Sequence, residues 1–464
     1  MSGVTFSCEN LRLQRLYDAA EAKMKGNIRD FAGRKVLVEG AGYEKIWLET
    51  QPMGGEMNWF RDPESAKNNI LLFIENTRSD GRMPGSIQLK DGKIIPQYDK
   101  LQGFCFARPA LRMYELLLEE DLASGENNAP EYLDALRNCL ESFDSWLHKT
   151  RDIWHTGVLA SFCVYDTGED NAVRYGDAPC YSPADEAPSG YKSVPMMSMD
   201  VTGYAYACRD TLAKIAAVMK NEDEEKRWIS RANETRNAFI RALWNEERKA
   251  CFDRYKNGDV NPVLCHNTLR CMYYGILPGD KAAAFISRHL ENPDEFLTPY
   301  PFPSTAANDP FFRNISDNNW SGQSQALTWQ RLLDAADYCA SGRRTEELAN
   351  RIFATIGQNE NCFYQQYDPF TGAHGGGTDG YGPAILSVLR AFDMTRGMYR
   401  DGNKLVLGTV KGFPFESTIS SPLYHVSLKC DGTKAEASVN GRKKISFDAG
   451  ERQILDLMMM ENLI

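Results

Sequence analysis

Apolar residues recur three and four positions apart through most of the chain, the spacing that lays one stripe of side chains along an α-helix. The pattern predicts eleven helices, over residues 10–24, 65–78, 106–120, 130–150, 201–220, 224–244, 267–277, 279–290, 324–340, 345–357 and 381–398. Long polar and aromatic loops, punctuated by Gly and Pro, separate them. Eleven or twelve such helices are the content of a toroid of paired helices, with the loops gathered at its rim. From about Leu405 the period falls to two: "KLVLGTV", "LYHVSLKC", "AEASVNG" and "KKISFD" alternate, with Asp431-Gly432 and Asn440-Gly441 as turns. The expected organisation is an all-α domain over 1–400 and a small antiparallel β appendage over 401–464. The appendage carries no group that suggests chemistry.

Charge and composition narrow the partners. With 53 Lys and Arg against 63 Asp and Glu, the net charge is −10, which argues against a nucleic acid or an anionic membrane surface and leaves a neutral or small ligand. No apolar run approaches the roughly 18 residues of a membrane span. The opening "MSGVTFSCENLRLQRL" lacks the basic and apolar regions of a secretory leader. Twelve cysteines lie singly between Cys8 and Cys430, without a CxxC pair, which suits reduced thiols in the cytoplasm better than disulfides or zinc. The six histidines form no HxxxH or HxH pair, so neither a metal nor another cofactor is expected. Nothing in the pattern sets an oligomeric state.

The densest chemistry is in "DTGEDNAVRY", Asp166 to Tyr175, where Asp166, Glu169 and Asp170 crowd beside Asn171 and Arg174. Adjacent like charges repel unless one is protonated or each has a cation or donor to answer it, and Arg174 is the obvious answering charge. Such a loop, flanked by Tyr165 and Tyr175, is what an enzyme that protonates a glycosidic oxygen needs; it is equally a solvated acidic turn. Four further loops mix aromatics with ionisable groups or amides: Trp47–Ser65, Ser79–Ile87, Ser316–Gln325 and Asn359–Pro383. A pyranose offers an apolar face for an indole and an edge of hydroxyls for carboxylates, amides and Arg, so the mixture suits sugars. Taken singly, Trp59 and Trp320 also read as core aromatics, Arg61 and Asp62 as a local ion pair, and Gly375–Gly377 as a flexible turn.

The order "NWFRD", "DGRMPGSI", "DTGEDNAVRY", "SMDVTGYAYACRDTLAKIA", "LWNEERKACFDRY", "NNWSGQSQ" and "YQQYDPFTG…TDGYGPA" resembles the succession of motifs in clan-G glycoside hydrolases. These include trehalase, processing α-glucosidase I and bacterial mannosylglycerate hydrolases, and the resemblance runs from Trp47 to about residue 391. It implies an (α/α)6 barrel, or six-hairpin toroid, and inverting hydrolysis of an α-glycosidic bond in a small oligosaccharide or glycoside. It also places Asp170 where the family's general acid stands, Asp166 at the leading glutamate, and Asn171 and Arg174 on their counterparts. Trp59 and Asp62, with Arg61 between them, resemble the pair that floors the sugar site. Tyr367, Asp368, Pro369, Thr371 and Gly372 match a late loop, and Trp320 and Gly322 match a "WRGP" motif in which Ser321 and Gln323 are departures.

One departure bears on mechanism. The glutamate that activates water in the family corresponds to Gln365, and an amide has no basic lone pair at neutral pH. Three readings follow. Another carboxylate acts as base, the candidates being Glu49, Glu56 and Glu169, with Glu56 best placed before the sugar floor; or the enzyme is a lyase acting on a uronic acid; or the protein binds sugar without turning it over.

Overall fold

The helices sort into two kinds by what they bury. The computed structural model describes residues 3–316, 320–339 and 342–457, and among these twelve α-helices run in chain order. They are α1 Leu11–Gly26, α2 Gln51–Asn58, α3 Pro63–Glu75, α4 Ala107–Ser124, α5 Ala129–Arg151, α6 Met199–Val218, α7 Glu222–Leu243, α8 Asn267–Tyr274, α9 Gly279–Phe285, α10 Ala326–Cys339, α11 Gly342–Gln358 and α12 Gly382–Thr395. Helices α1 and α7 have one apolar stripe and a charged outer face, as a helix does when only one side meets a core. In α8 every residue is buried, and α2 and α12 are almost as enclosed. The even-numbered helices pack in sequence from α2 through α4, α6, α8 and α10 to α12, and α12 returns to α2. The result is a helical toroid whose inner ring is closed, with α3, α5, α7, α9 and α11 outside it, each against a ring neighbour, and α1 against α11 and α12.

Eleven of these helices coincide with periodic segments, within a few residues at each end. The twelfth, α2, lies inside what the sequence presents as one loop from Trp47 to Ser65. Pro52 sits in its first turn, where the missing N–H costs nothing. Gly54 and Gly55 are there for close approach: a Cβ on Gly54 would stand 2.9 Å from Leu386 Cδ1, and one on Gly55 3.2 Å from the Ala66 carbonyl oxygen. The residues that read as loop-formers are thus what lets α2 press between α12 and α3.

The β region is larger than the predicted appendage and begins with the chain's own start. Gly3–Cys8 forms the edge of a five-stranded antiparallel sheet followed by Pro414–Ser420, His425–Asp431, Lys434–Val439 and Lys443–Asp448, with Val4 opposite Ile419. A second sheet joins Gly397–Asp401, Lys404–Gly408 and Gln453–Asp456. Phe6 on the edge strand packs on Tyr17 of α1, Phe392 of α12 and Phe415, with ring centroids 5.0, 4.9 and 6.0 Å away. Burying one such ring stabilises by about 1.5–3 kcal/mol, so this strand ties the β layer to the toroid. Short strand pairs and hairpins edge one end of the ring, notably Lys45–Trp47 paired with Ser86–Lys90, which turns back as Lys93–Gln97, and Ser324–Gln325 paired with Gln366–Tyr367. Among the described residues no helix is long and apolar enough to cross a membrane.

Candidate active site

The acidic loop is held rigid from beneath. Asp166 is fully buried against Arg151, 2.6 Å away, and accepts the amides of Phe162 at 2.7 Å and Leu101 at 3.2 Å. Burial pushes its carboxyl up, but Arg151 and the two amides outweigh that and hold it below the usual aspartate range. Glu169 points inward too. It takes the guanidiniums of Arg174 and Arg270, the ring Nε2 of His266 at 2.7 Å and the amide of Asn267 at 3.0 Å, and these outweigh burial to keep it ionised. Arg174 in turn pairs with Asp200 at 2.8 Å and with Asp253. With both neighbours turned down, Asp170 alone of the three carboxylates lines an open cavity.

That cavity, of about 240 Å³, lies at the end of the ring edged by the hairpins, and Glu39, Tyr43, Lys45, Trp47, Glu49, Asp99, Lys100, Asp170, Trp320, Gln365 and Tyr381 contribute to its wall. Trp320 donates its amide to the Asp170 carbonyl oxygen at 3.2 Å, and its indole lies 5.7 Å from the His266 ring. Ser321 donates its hydroxyl to the Asn171 carbonyl oxygen at 2.7 Å and accepts the amide of Val173 at 2.9 Å, clasping the two loops together. Glu49 is clamped by Arg270 and Arg331. Gly168, at φ +71°, is required here because a Cβ would stand 1.9 Å from Glu49 Oε2. Trp47 carries a lysine over its ring on two approaches, Lys45 at 5.2 Å and Lys100 at 5.4 Å from the centroid. Those ammonium groups hydrogen-bond Gln97 and Asp99, each at 2.9 Å.

Glu39 stands apart from the other cavity carboxylates. It is only 7% exposed, and among the described residues no cation pairs with it; its side chain meets the Tyr381 hydroxyl. Burial, then repulsion from Glu49, pushes its carboxyl up to about 8, with Tyr381 opposing and Asp170 adding a little. Burial, then the negative charge of Glu39 and Asp170, raises Tyr43 to about 12. Both residues belong to the Glu39–Tyr43 turn, and the Tyr43 hydroxyl donates to Gln365 Oε1 at 3.2 Å.

The structure brings Asp170, Trp320, Gln365 and the base candidate Glu49 to one cavity and takes the remaining expected site residues elsewhere. Glu56 is not near this cavity. It lies on α2, paired with Arg112 in a second cavity that also includes Trp59 and Arg61. Arg61 grips both oxygens of Asp393 at 2.9 Å and Glu21 at 2.6 Å. Asp62 caps α3 by accepting the Ser65 amide at 2.9 Å. These placements share one cause, the formation of α2, which carries Glu56 to Asp62 into the second cavity and the start of α3. Asp166, Glu169 and Arg174 form the buried support described above, without lining the cavity. Tyr367 is enclosed, stacked on Trp329 with centroids 5.1 Å apart, and its hydroxyl accepts the Tyr364 amide at 2.8 Å. Asp317 to Asn319 of the amide-rich loop lie outside the described residues. Glu39, Tyr43, Lys45, Lys100 and Tyr381 escaped the sequence reading; "EGAGYEKIW", with two glycines between charged and aromatic residues, is the one local signal that could have exposed the first three.

A family model described as the mannosylglycerate hydrolase MGH1-like glycoside hydrolase domain matches residues 55–382. Among solved structures, the mannosylglycerate hydrolase of family GH63 from Thermus thermophilus in complex with glucose aligns with TM-score 0.64 at 17% identity, over 81% of this chain and 99% of that one. A neutral trehalase from Saccharomyces cerevisiae aligns with TM-score 0.57 at 12% identity, over 78% and 74% of the two chains. A sialidase aligns with TM-score 0.73 at 14% identity over 98% of this chain, β region included, and 41% of its own. At these identities the likeness is one of fold. No curated protein sequence matches the chain.

Proposed function

We propose, for a chain that belongs to the mannosylglycerate hydrolase MGH1-like glycoside hydrolase family, that it hydrolyses an α-glycosidic bond in a small oligosaccharide or glycoside with inversion. The site sits at the loop end of an (α/α)6 barrel, and Asp170 protonates the leaving oxygen. The observation that supports this most is that Asp170, Trp320 and Gln365, drawn from three separate motifs, line one cavity. Asp170 supplies the acid, Trp320 the apolar face on which a pyranose stacks, and the surrounding amide, lysine and tyrosine groups the hydrogen bonds that hydroxyls require. The cavity volume of about 240 Å³ suits one or two sugar rings rather than a polymer. Asp170→Asn keeps the shape and removes the proton. Measured on a panel of disaccharides and methyl glycosides, its turnover should fall by about 10²-fold or more. Unaltered activity on every hydrolysed substrate removes Asp170 from the mechanism.

A further inference from the structure

Inversion needs a second carboxylate, and the family's position for it holds Gln365. Resting on the glycosidase reading above, we propose that Glu39 supplies that carboxylate, accepting the proton of the attacking water. Its placement argues for it. The Glu39 backbone is tied on both sides, its amide donating to the Lys45 carbonyl oxygen at 3.1 Å and its carbonyl oxygen accepting the Gly382 amide at 2.6 Å, so the side chain is delivered to the cavity wall by a fixed turn. Four residues on, Tyr43 bonds Gln365 and joins that turn to the site where the base is expected. Of the wall carboxylates other than Asp170, Glu49 is paired with two arginines and Asp99 with Lys100, and Glu39 is the one that no cation holds among the described residues. Enclosing a carboxyl without a cation is costly, and folds retain such groups mainly where chemistry uses them.

The step balances. The bond between the anomeric carbon and the leaving oxygen breaks as Asp170 gives that oxygen its proton. The water oxygen bonds to the same carbon from the opposite face, and its released proton passes to Glu39. Exchange with solvent then returns the proton to Asp170. The groups facing Glu39 are Glu49, Asp170, Tyr43 and Tyr381. Burial and Glu49 raise its affinity for a proton, which favours uptake of the proton that the attacking water releases.

The test compares wild type, Asp170→Asn and Glu39→Gln on α-glucosyl, α-mannosyl and α-galactosyl fluorides, whose leaving group departs without an acid, and on the matching methyl α-glycosides. Asp170→Asn should lose about 10²-fold on the methyl glycoside but stay within about tenfold on the fluoride, whereas Glu39→Gln should lose about 10²-fold on both. Glu39→Asp, which keeps the carboxyl, should recover part of both activities at an unchanged melting temperature, separating chemistry from folding. A Glu39→Gln protein within a few-fold of wild type on both probes, beside a crippled Asp170→Asn, overturns this assignment and leaves the glycosidase reading intact. Sparing of the fluoride by Glu39→Gln makes Glu39 an acid and overturns its role as base. Wild-type protein inactive on every probe overturns both.

Discussion

Tyr43 donates its hydroxyl to Gln365 Oε1 at 3.2 Å, across the cavity that Asp170 lines. A donor is therefore already aimed at the position where related hydrolases are expected to keep a glutamate. Gln365→Glu restores that glutamate, but with Glu39 present the site has no vacancy for a base to fill. Turnover should change by less than about tenfold, as measured on whichever α-glycoside the wild type hydrolyses. A gain of 10²-fold would mean that the natural site is silent for want of that one group.

The two tryptophans that the motifs place at a sugar site should behave oppositely. Trp320 lines the Asp170 cavity, and Trp59 lines the second cavity with Glu56 and Arg61. Trp320→Ala should lower kcat/KM by about tenfold, the worth of one lost stacking contact. Trp59→Phe should leave kcat/KM unchanged while lowering the melting temperature. The reverse pattern would place the sugar at the other end of the ring.

Arg174 is enclosed by Glu169, Asp200 and Asp253. Replacing it with Leu strands three buried carboxylates without their shared cation and should cost about 3–5 kcal/mol in a denaturant titration. A loss below about 1 kcal/mol would show that Arg270 and Asn267 suffice to hold that cluster.

The pH profile follows from Glu39. Its carboxyl is raised to about 8, chiefly by burial. A base acts only once ionised, so activity should rise with pH through a midpoint near 8. In Glu39→Asp the same limb should persist but shift. A wild-type profile without that acidic limb would contradict the assignment of the base to Glu39.

Much of the toroid was legible because eleven helices carry apolar residues three and four apart, even where, as in α8 and α12, almost the whole helix is enclosed. Helix α2 was not, because its Pro52, Gly54 and Gly55 mimic a loop. That single omission carried Glu56, Trp59 and Arg61 to the wrong end of the ring. That Asp170 and Trp320 share one cavity was legible from motif order alone. Glu39 was not, since its significance comes from what is missing around it: a carboxyl looks ordinary in sequence until the fold encloses it without a cation. The strand Gly3–Cys8 was missed for a related reason, its partner Pro414–Ser420 being four hundred residues away.

The central claim is inverting hydrolysis at the Asp170 cavity, and the anomer first released reports on it directly. Proton NMR of the wild-type reaction on an α-glycoside, followed before mutarotation, should show the β-anomer accumulating first, with Asp170→Asn suppressing it. Release of the α-anomer first, an unsaturated uronate in place of a reducing sugar, or no product from any α-glycoside offered would contradict it.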